Sequence, residues 1–127
     1  MSAKRPDLID YAIFSQLKQL DDDDLDYPLT KSMIEQLFQQ IEEALENWSI
    51  LVQNNNIEEV ERQAHGLKGS SSQCGAMKLA EYFGTLAHLK NDNVDVEESK
   101  TIITSVINTI KENDLVSKTK QYMYMDL

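Results

Sequence analysis

One cysteine, two prolines and four glycines in 127 residues leave this chain little to staple or punctuate it. The single thiol, Cys74, provides no disulfide framework, so the fold must rest on a hydrophobic core. A chain of this length can bury roughly two thirds of its unfolded surface in one. A reducing, intracellular setting is the expectation, cytoplasmic or both cytoplasmic and nuclear. Bases are scarce as well: 12 Lys and Arg stand against 22 Asp and Glu, a formal charge of −10. So acidic a surface has little to offer nucleic acid or an anionic membrane, both of which reward clustered cations. No apolar run approaches the roughly 20 residues of a membrane span. The opening MSAKRPDLID sets a proline and an acid where a secretory signal needs an unbroken apolar stretch. Hydrophobic residues at 41% and charged residues at 27% are ordinary soluble usage, which excludes collagenous, low-complexity and wholly disordered classes. One domain over residues 1–127 is expected.

What is present is helical periodicity from end to end, with no strand pattern. Leu8, Ile9, Ala12, Ile13, Leu17 and Leu20 recur every three or four residues and predict a first amphipathic helix. It stops at Asp21-Asp22-Asp23-Asp24, four like charges that belong to a solvated loop. Pro28 suits the first position of a long second helix. Met33, Leu37, Ile41, Ala44, Leu45, Trp48, Leu51 and Val52 stripe it until Asn54-Asn55-Asn56, poor helix formers and good caps. Asn56 and Glu59 read as a capping box opening a third helix, whose inward seam is Val60, Ala64, Leu67, Ser71 and Cys74. Gly75 marks a turn, and Leu79, Ala80, Phe83, Leu86 and Ala87 a fourth helix ending near Asn91-Asp92-Asn93. Asp95 and Glu98 repeat the box before a fifth helix with Ile103, Val106, Ile107 and Ile110 on one face. After Asn113 the pattern fades, and residues 114–127 read as a tail behind a body of about residues 7–113, although Tyr122, Met123, Tyr124 and Met125 could dock on that body. Helices joined by short loops lie antiparallel, so the expected fold is all-α: an up-and-down antiparallel four-helix bundle with an additional N-terminal helix across one end.

The segment His65-Gly66-Leu67-Lys68-Gly69-Ser70-Ser71-Ser72 is chemically distinctive. In a helix interior Gly costs about 1 kcal/mol relative to Ala and Ser about half that, so Gly69 to Ser72 give up roughly 2 to 2.5 kcal/mol. Either Gly69 ends the helix in a left-handed cap, or the helix continues with small side chains so that something can approach it closely. Leu67 and Cys74 stay in phase with Val60 and Ala64, which favours continuation. His65 then lies partly exposed, about 100° round from Ala64, with Lys68 and Gly69 one turn away on its own face. That suits a nucleophilic imidazole: Gly69 leaves room for a bulky electrophile, and Lys68 supplies charge where a transferred phosphoryl group gathers it. Arg62, three residues earlier, offers a second cation, although a surface ion pair with Glu58 or Glu59 is its ordinary role.

The string HGLKGSSSQCGA resembles the signature of histidine-containing phosphotransfer (Hpt) domains, roughly His-x-Leu-Lys-Gly-Ser-Ser with a Gly-Ala pair further on. DLIDYAIFSQL and DDDDLDY resemble the matching region of the yeast-type stand-alone phosphorelay intermediates, so the likeness covers about residues 7–92. It implies a four-helix bundle whose histidine accepts a phosphoryl group from a receiver-domain aspartyl phosphate and passes it to the aspartate of a second receiver. By that resemblance His65 is the phosphoacceptor, Lys68 and Ser70 stabilise the phosphate, and Gly69 gives access. Ile13, Leu17, Leu20, Asp21, Asp24 and Tyr27 form the receiver-docking surface. The partners implied are receivers of a sensor histidine kinase and of response regulators, which bring their own Mg²⁺, so no cofactor is expected here. A monomer is expected because the docking face must stay free. Three positions depart from the pattern: Gly66, often large and apolar; Ala87, where a glutamine orients the histidine; and Glu81, where a tryptophan flanks the docking face. Gln73 is the nearest chemically equivalent orienting group.

Other motifs weigh less. Asp22, Asp24 and Asp26 have the spacing of calcium ligands, but Tyr27 replaces the obligatory glycine and Met33 the closing glutamate, so an EF-hand is rejected and no metal site is expected. Cys74 reads as a small core residue and His88 as structural. No Gly-rich nucleotide loop is present, which excludes a kinase, and no carboxylate pair or ligand cluster suggests an enzyme with its own active site. The competing function is a helical adaptor that binds receivers or other helical partners without accepting phosphate. The acidity is regional: residues 1–61 hold 14 acids against 4 bases, while residues 62–127 hold 8 of each.

Overall fold

The computed structural model describes residues 4–127, and among these all regular structure is helical. The helices are α1 (Tyr11–Lys18), α2 (Pro28–Gln53), α3 (Ile57–Cys74), α4 (Met77–Ala87), α5 (Val96–Glu112) and α6 (Leu115–Met125). Helices α2 to α5 are consecutive antiparallel neighbours around one core, as short connections between long helices require. α1 lies across α3, and α6 packs on α2 and α5.

Asp10 starts α1, its carboxylate accepting from the N–H groups of Ala12 and Ile13. The predicted first helix is therefore shorter than its stripe. Leu8 and Ile9 are buried in the turn before it, and Phe14, outside the predicted stripe, is fully buried. The segment is held to the α3–α4 corner by Asp10 N–H to Gly75 C=O at 2.8 Å and Lys78 N–H to Leu8 C=O at 3.2 Å. Gly75 is needed there twice over. Its φ is +85°, and a Cβ would meet the Asp10 carbonyl oxygen at 2.8 Å.

α2 begins from Tyr27 in the left-handed region (φ 50°), with no cap from its own side chain. Asp21 does the capping: its carboxylate accepts from Leu29 N–H (3.1 Å), Thr30 N–H (2.8 Å) and the Thr30 hydroxyl (2.7 Å). It is buried, so the expectation that all four aspartates lie in a solvated loop fails at Asp21. The 26 residues of α2 span about 39 Å. Trp48, midway along the core, meets Phe83 of α4 edge to face at 5.8 Å.

α3 has Asn56 at its N-cap, but the Asn56 side chain caps nothing, and Glu59 turns towards Arg62 and Gln63. The capping box predicted there does not form. At α5 the predicted cap is present, with Asp95 accepting from Glu98 N–H at 2.8 Å.

The segment read as a tail is helix α6, a further correction. Leu115, Thr119 and Met123 form its buried seam. A threonine between two apolar residues is too thin a stripe to stand out in the sequence. Ionic contacts complete the docking. Lys120 and the Tyr124 hydroxyl both bond Glu35 of α2, and Lys18 at the end of α1 reaches Asp126.

Candidate functional site

α3 runs unbroken through the serines to Cys74, and it is Gly75, not Gly69, that ends it in a left-handed cap. Val60, Ala64, Leu67, Ser71 and Cys74 are all buried and keep one helical phase. The helix therefore carries Gly66, Gly69 and three serines at a standing propensity cost, and the surroundings show what that cost serves. A Cβ placed on Gly66 or Gly69 would find no atom within 4 Å. Neither glycine is required by packing; both leave the backbone bare beside the exposed imidazole of His65.

Lys68 lies on the α4 side of His65. Gly84 of α4 makes its bed: a Cβ there would stand 3.5 Å from Lys68 Cδ and Cε and 3.9 Å from Nζ. Among the described residues no carboxylate lies within ion-pair distance of Lys68. The ammonium is left without a carboxylate while its stem lies against Gly84. Sequence reasoning missed Gly84, because its role depends on what faces it across the α3–α4 interface.

Arg62 is engaged elsewhere. Its guanidinium forms a two-point bond to Glu59, Gln63 donates to the same carboxylate at 3.0 Å, and Gln63 accepts from the buried Trp48 indole at 2.9 Å. Arg62 and Gln63 together hold the Glu59 carboxyl down to about 2. Arg62 thus takes the surface-pair role, and the phosphate role expected of it is not prepared in this arrangement. Ser70 is also displaced from its expected role: at about 100° per residue it lies roughly 140° round from His65. It lines a groove with Gly66 and Gln40. Ser72, roughly 20° off the His65 line, is the exposed hydroxyl on that face.

No side-chain hydrogen bond among the described residues reaches the His65 ring, and the buried Ser71 hydroxyl further along α3 is likewise without a partner. Ala87 is half-buried. Gln73 is exposed and two turns from His65, so it does not orient the ring. His88 is exposed at the C-cap of α4 rather than packed inside.

The docking residues divide. Ile13 is half-buried and lines a mostly apolar notch of about 230 Å³ with Lys68, Ser72, Met77, Ala80 and Glu81. Leu20 is 57% exposed, Asp24 is exposed and Tyr27 half-buried. Leu17 and Asp21, each only 6% exposed, are corrected to core and helix cap respectively. Their side chains are spent inside the fold and present nothing to a partner. Met77 and Ala80 were not read as site residues; only the α3–α4 corner brings them beside Ile13 and Lys68. A larger hollow of about 630 Å³ lies on the outward face of α5, lined by Lys100, Thr104 and Asn108, away from His65. Burial pushes the Cys74 thiol up, which suits a core residue. Among the described residues no three His, Cys, Asp or Glu side chains converge as metal ligands, and no helix is long and apolar enough to cross a membrane.

A helical bundle that presents an exposed imidazole on α3, with an unpaired lysine one turn on and a glycine with open space above it, has the make-up of a phosphotransfer module. The chain belongs to the Hpt domain family, whose profile matches residues 31–112. It is similar to the phosphorelay intermediate protein YPD1 of Candida albicans, 32% identical over 98 residues, covering 74% of this chain and 52% of that protein. It is also similar to multistep phosphorelay regulator 1 of Schizosaccharomyces pombe, 32% identical over 72 residues, 57% of this chain and 24% of that protein. The chain spans about half the length of the first and a quarter of the second.

Proposed function

We propose that this protein is a phosphorelay intermediate of two-component signalling, accepting a phosphoryl group on His65 from a receiver aspartyl phosphate and passing it to a second receiver. The observation that carries the reading is the juxtaposition of an exposed His65, a Lys68 without a carboxylate partner, and a Gly69 over which there is open space. An unprotonated ring nitrogen attacks phosphorus in line; the N–P bond forms as the acyl P–O bond breaks, and the aspartate leaves with the electron pair. Onward transfer is the reverse displacement. Because the transferred group is loosely bound in flight, positioning and charge do most of the work. Lys68 contributes charge, and the notch at Ile13 and Met77 contributes the seat. The receivers, from a sensor histidine kinase and from response regulators, bring Mg²⁺. In this reading the chain is a carrier without autonomous catalysis, monomeric, and active in the cytoplasm or in cytoplasm and nucleus.

The unsupported His65 ring favours a second reading, a helical adaptor that binds receivers without taking phosphate. Incubation with a phosphorylated receiver separates the two. The carrier acquires an acid-labile, base-stable phosphate that His65→Gln abolishes; tight binding without label supports the adaptor.

A further inference from the structure

The two flanks of His65 are unlike. On the α4 side the Lys68 stem fills the surface against Gly84. On the α2 side Gly66 leaves α3 bare, and the bare patch opens into a groove of about 310 Å³ whose walls include Gln40, Ala44, Leu67 and Ser70. Gly66 stands in the middle of an 18-residue helix, where it costs about 1 kcal/mol against alanine. No internal contact requires it, since nothing lies within 4 Å of its missing Cβ. The groove's charged and amide members on the α3 side, Arg62 and Gln63, are already bonded to Glu59 and Trp48. Its hydrogen-bonding groups that take no side-chain partner, the Gln40 amide and the Ser70 hydroxyl, are neutral and line the groove from α2 and α3 respectively. The groove starts at Gly66, one residue and about 100° of helix rotation from His65.

We propose that Gly66 is a specificity-determining position, opening the α2 side of His65 to a neutral, hydrogen-bonding loop of the partner receiver that seats between Gln40 and Ser70. The inference rests on the phosphorelay reading and deepens it. A large side chain at Gly66 fills the groove without disturbing the core, so it discriminates between a docked protein donor and a small free one.

The test compares Gly66→Leu and Gln40→Trp, which fill the groove from opposite walls, with wild type against two phosphodonors. One is a receiver domain charged with acetyl phosphate; the other is phosphoramidate, which phosphorylates an exposed histidine without docking. Both variants are expected to melt no lower than wild type, to take label from phosphoramidate within twofold of wild type, and to take it from the receiver at least tenfold more slowly. Transfer from the receiver at the wild-type rate in either variant overturns the proposal. So does a parallel loss with phosphoramidate, which places the damage in the histidine itself. Wild-type protein that takes no label from the receiver fails the phosphorelay reading before any variant is compared, so the two failures are distinguishable.

Discussion

Four adjacent aspartates carry the same chemistry in the sequence, yet Asp21 is buried under Thr30 while Asp22, Asp23 and Asp24 stay in water. No local pattern separates them. The choice is made by the left-handed Tyr27, which brings the start of α2 back over Asp21. Burial pushes the Asp21 carboxyl up, but the Thr30 hydroxyl and the N–H groups of Thr30 and Leu29 outweigh it and hold the carboxyl below its usual range. A depressed folded-state pKa means stability that is fully present above the unfolded value and lost as pH falls through the folded one. Asp21→Asn should therefore lower the urea midpoint at neutral pH, and the gap to wild type should close below about pH 4, while Asp22→Asn leaves the midpoint unchanged. Gly84 makes a parallel case. A Cβ at 3.5 Å from the Lys68 stem is ordinary contact, so Gly84→Ala should gain about 1 kcal/mol in urea unfolding with transfer intact. Gly84→Leu should displace the stem, and both it and Lys68→Ala should slow transfer in a phosphotransfer assay. That His65, Lys68 and Gly69 share one helical face follows from their offsets in the sequence, whereas adjacency in sequence is about 100° of rotation and carries Ser70 away from that face.

Among the elements, α2 and α5 were read close to their observed bounds, since long apolar stripes leave little ambiguity. α1 and α6 were not, and for one reason: short helices are held by partners outside themselves. α1 depends on Asp10, Gly75 and the buried Phe14; α6 depends on Glu35, Lys18 and two apolar contacts. This division gives α1 two kinds of residue. Leu17→Ala should cost about 2 to 4 kcal/mol of stability in urea unfolding, as a buried leucine does. Ile13→Ala, at the rim of the notch, should weaken receiver binding at least tenfold, measured by calorimetry, with a smaller loss of stability. Lys18 ties the end of that same helix to Asp126 at 2.8 Å, in a half-buried pair. Truncation after Asn113 should therefore raise amide exchange in α1 as well as in α2, and exchange unchanged in α1 would show that α6 braces α2 alone.

At the scale of the whole molecule the net charge of −10 has a direction. Residues 1–61 hold all of the excess, and the chain becomes balanced just before His65. The acidic half includes Asp22 to Asp24 beside the exposed Leu20, so a receiver approaching the α1 side meets negative charge first and the unpaired Lys68 last. Association should slow with rising salt if the receiver presents cations to that rim, quicken if it presents anions, and stay unchanged if that face is neutral. In the proposed relay, phosphate resides on His65 between two receivers. The most direct measurement is mass spectrometry of the chain after a single turnover with a stoichiometric phosphorylated receiver, quenched at alkaline pH. The account predicts one phosphoryl group, located on the peptide bearing His65, appearing as the receiver loses its own and disappearing when a second receiver is added. Loss of the receiver's phosphate to water, with the chain never gaining mass, would contradict it.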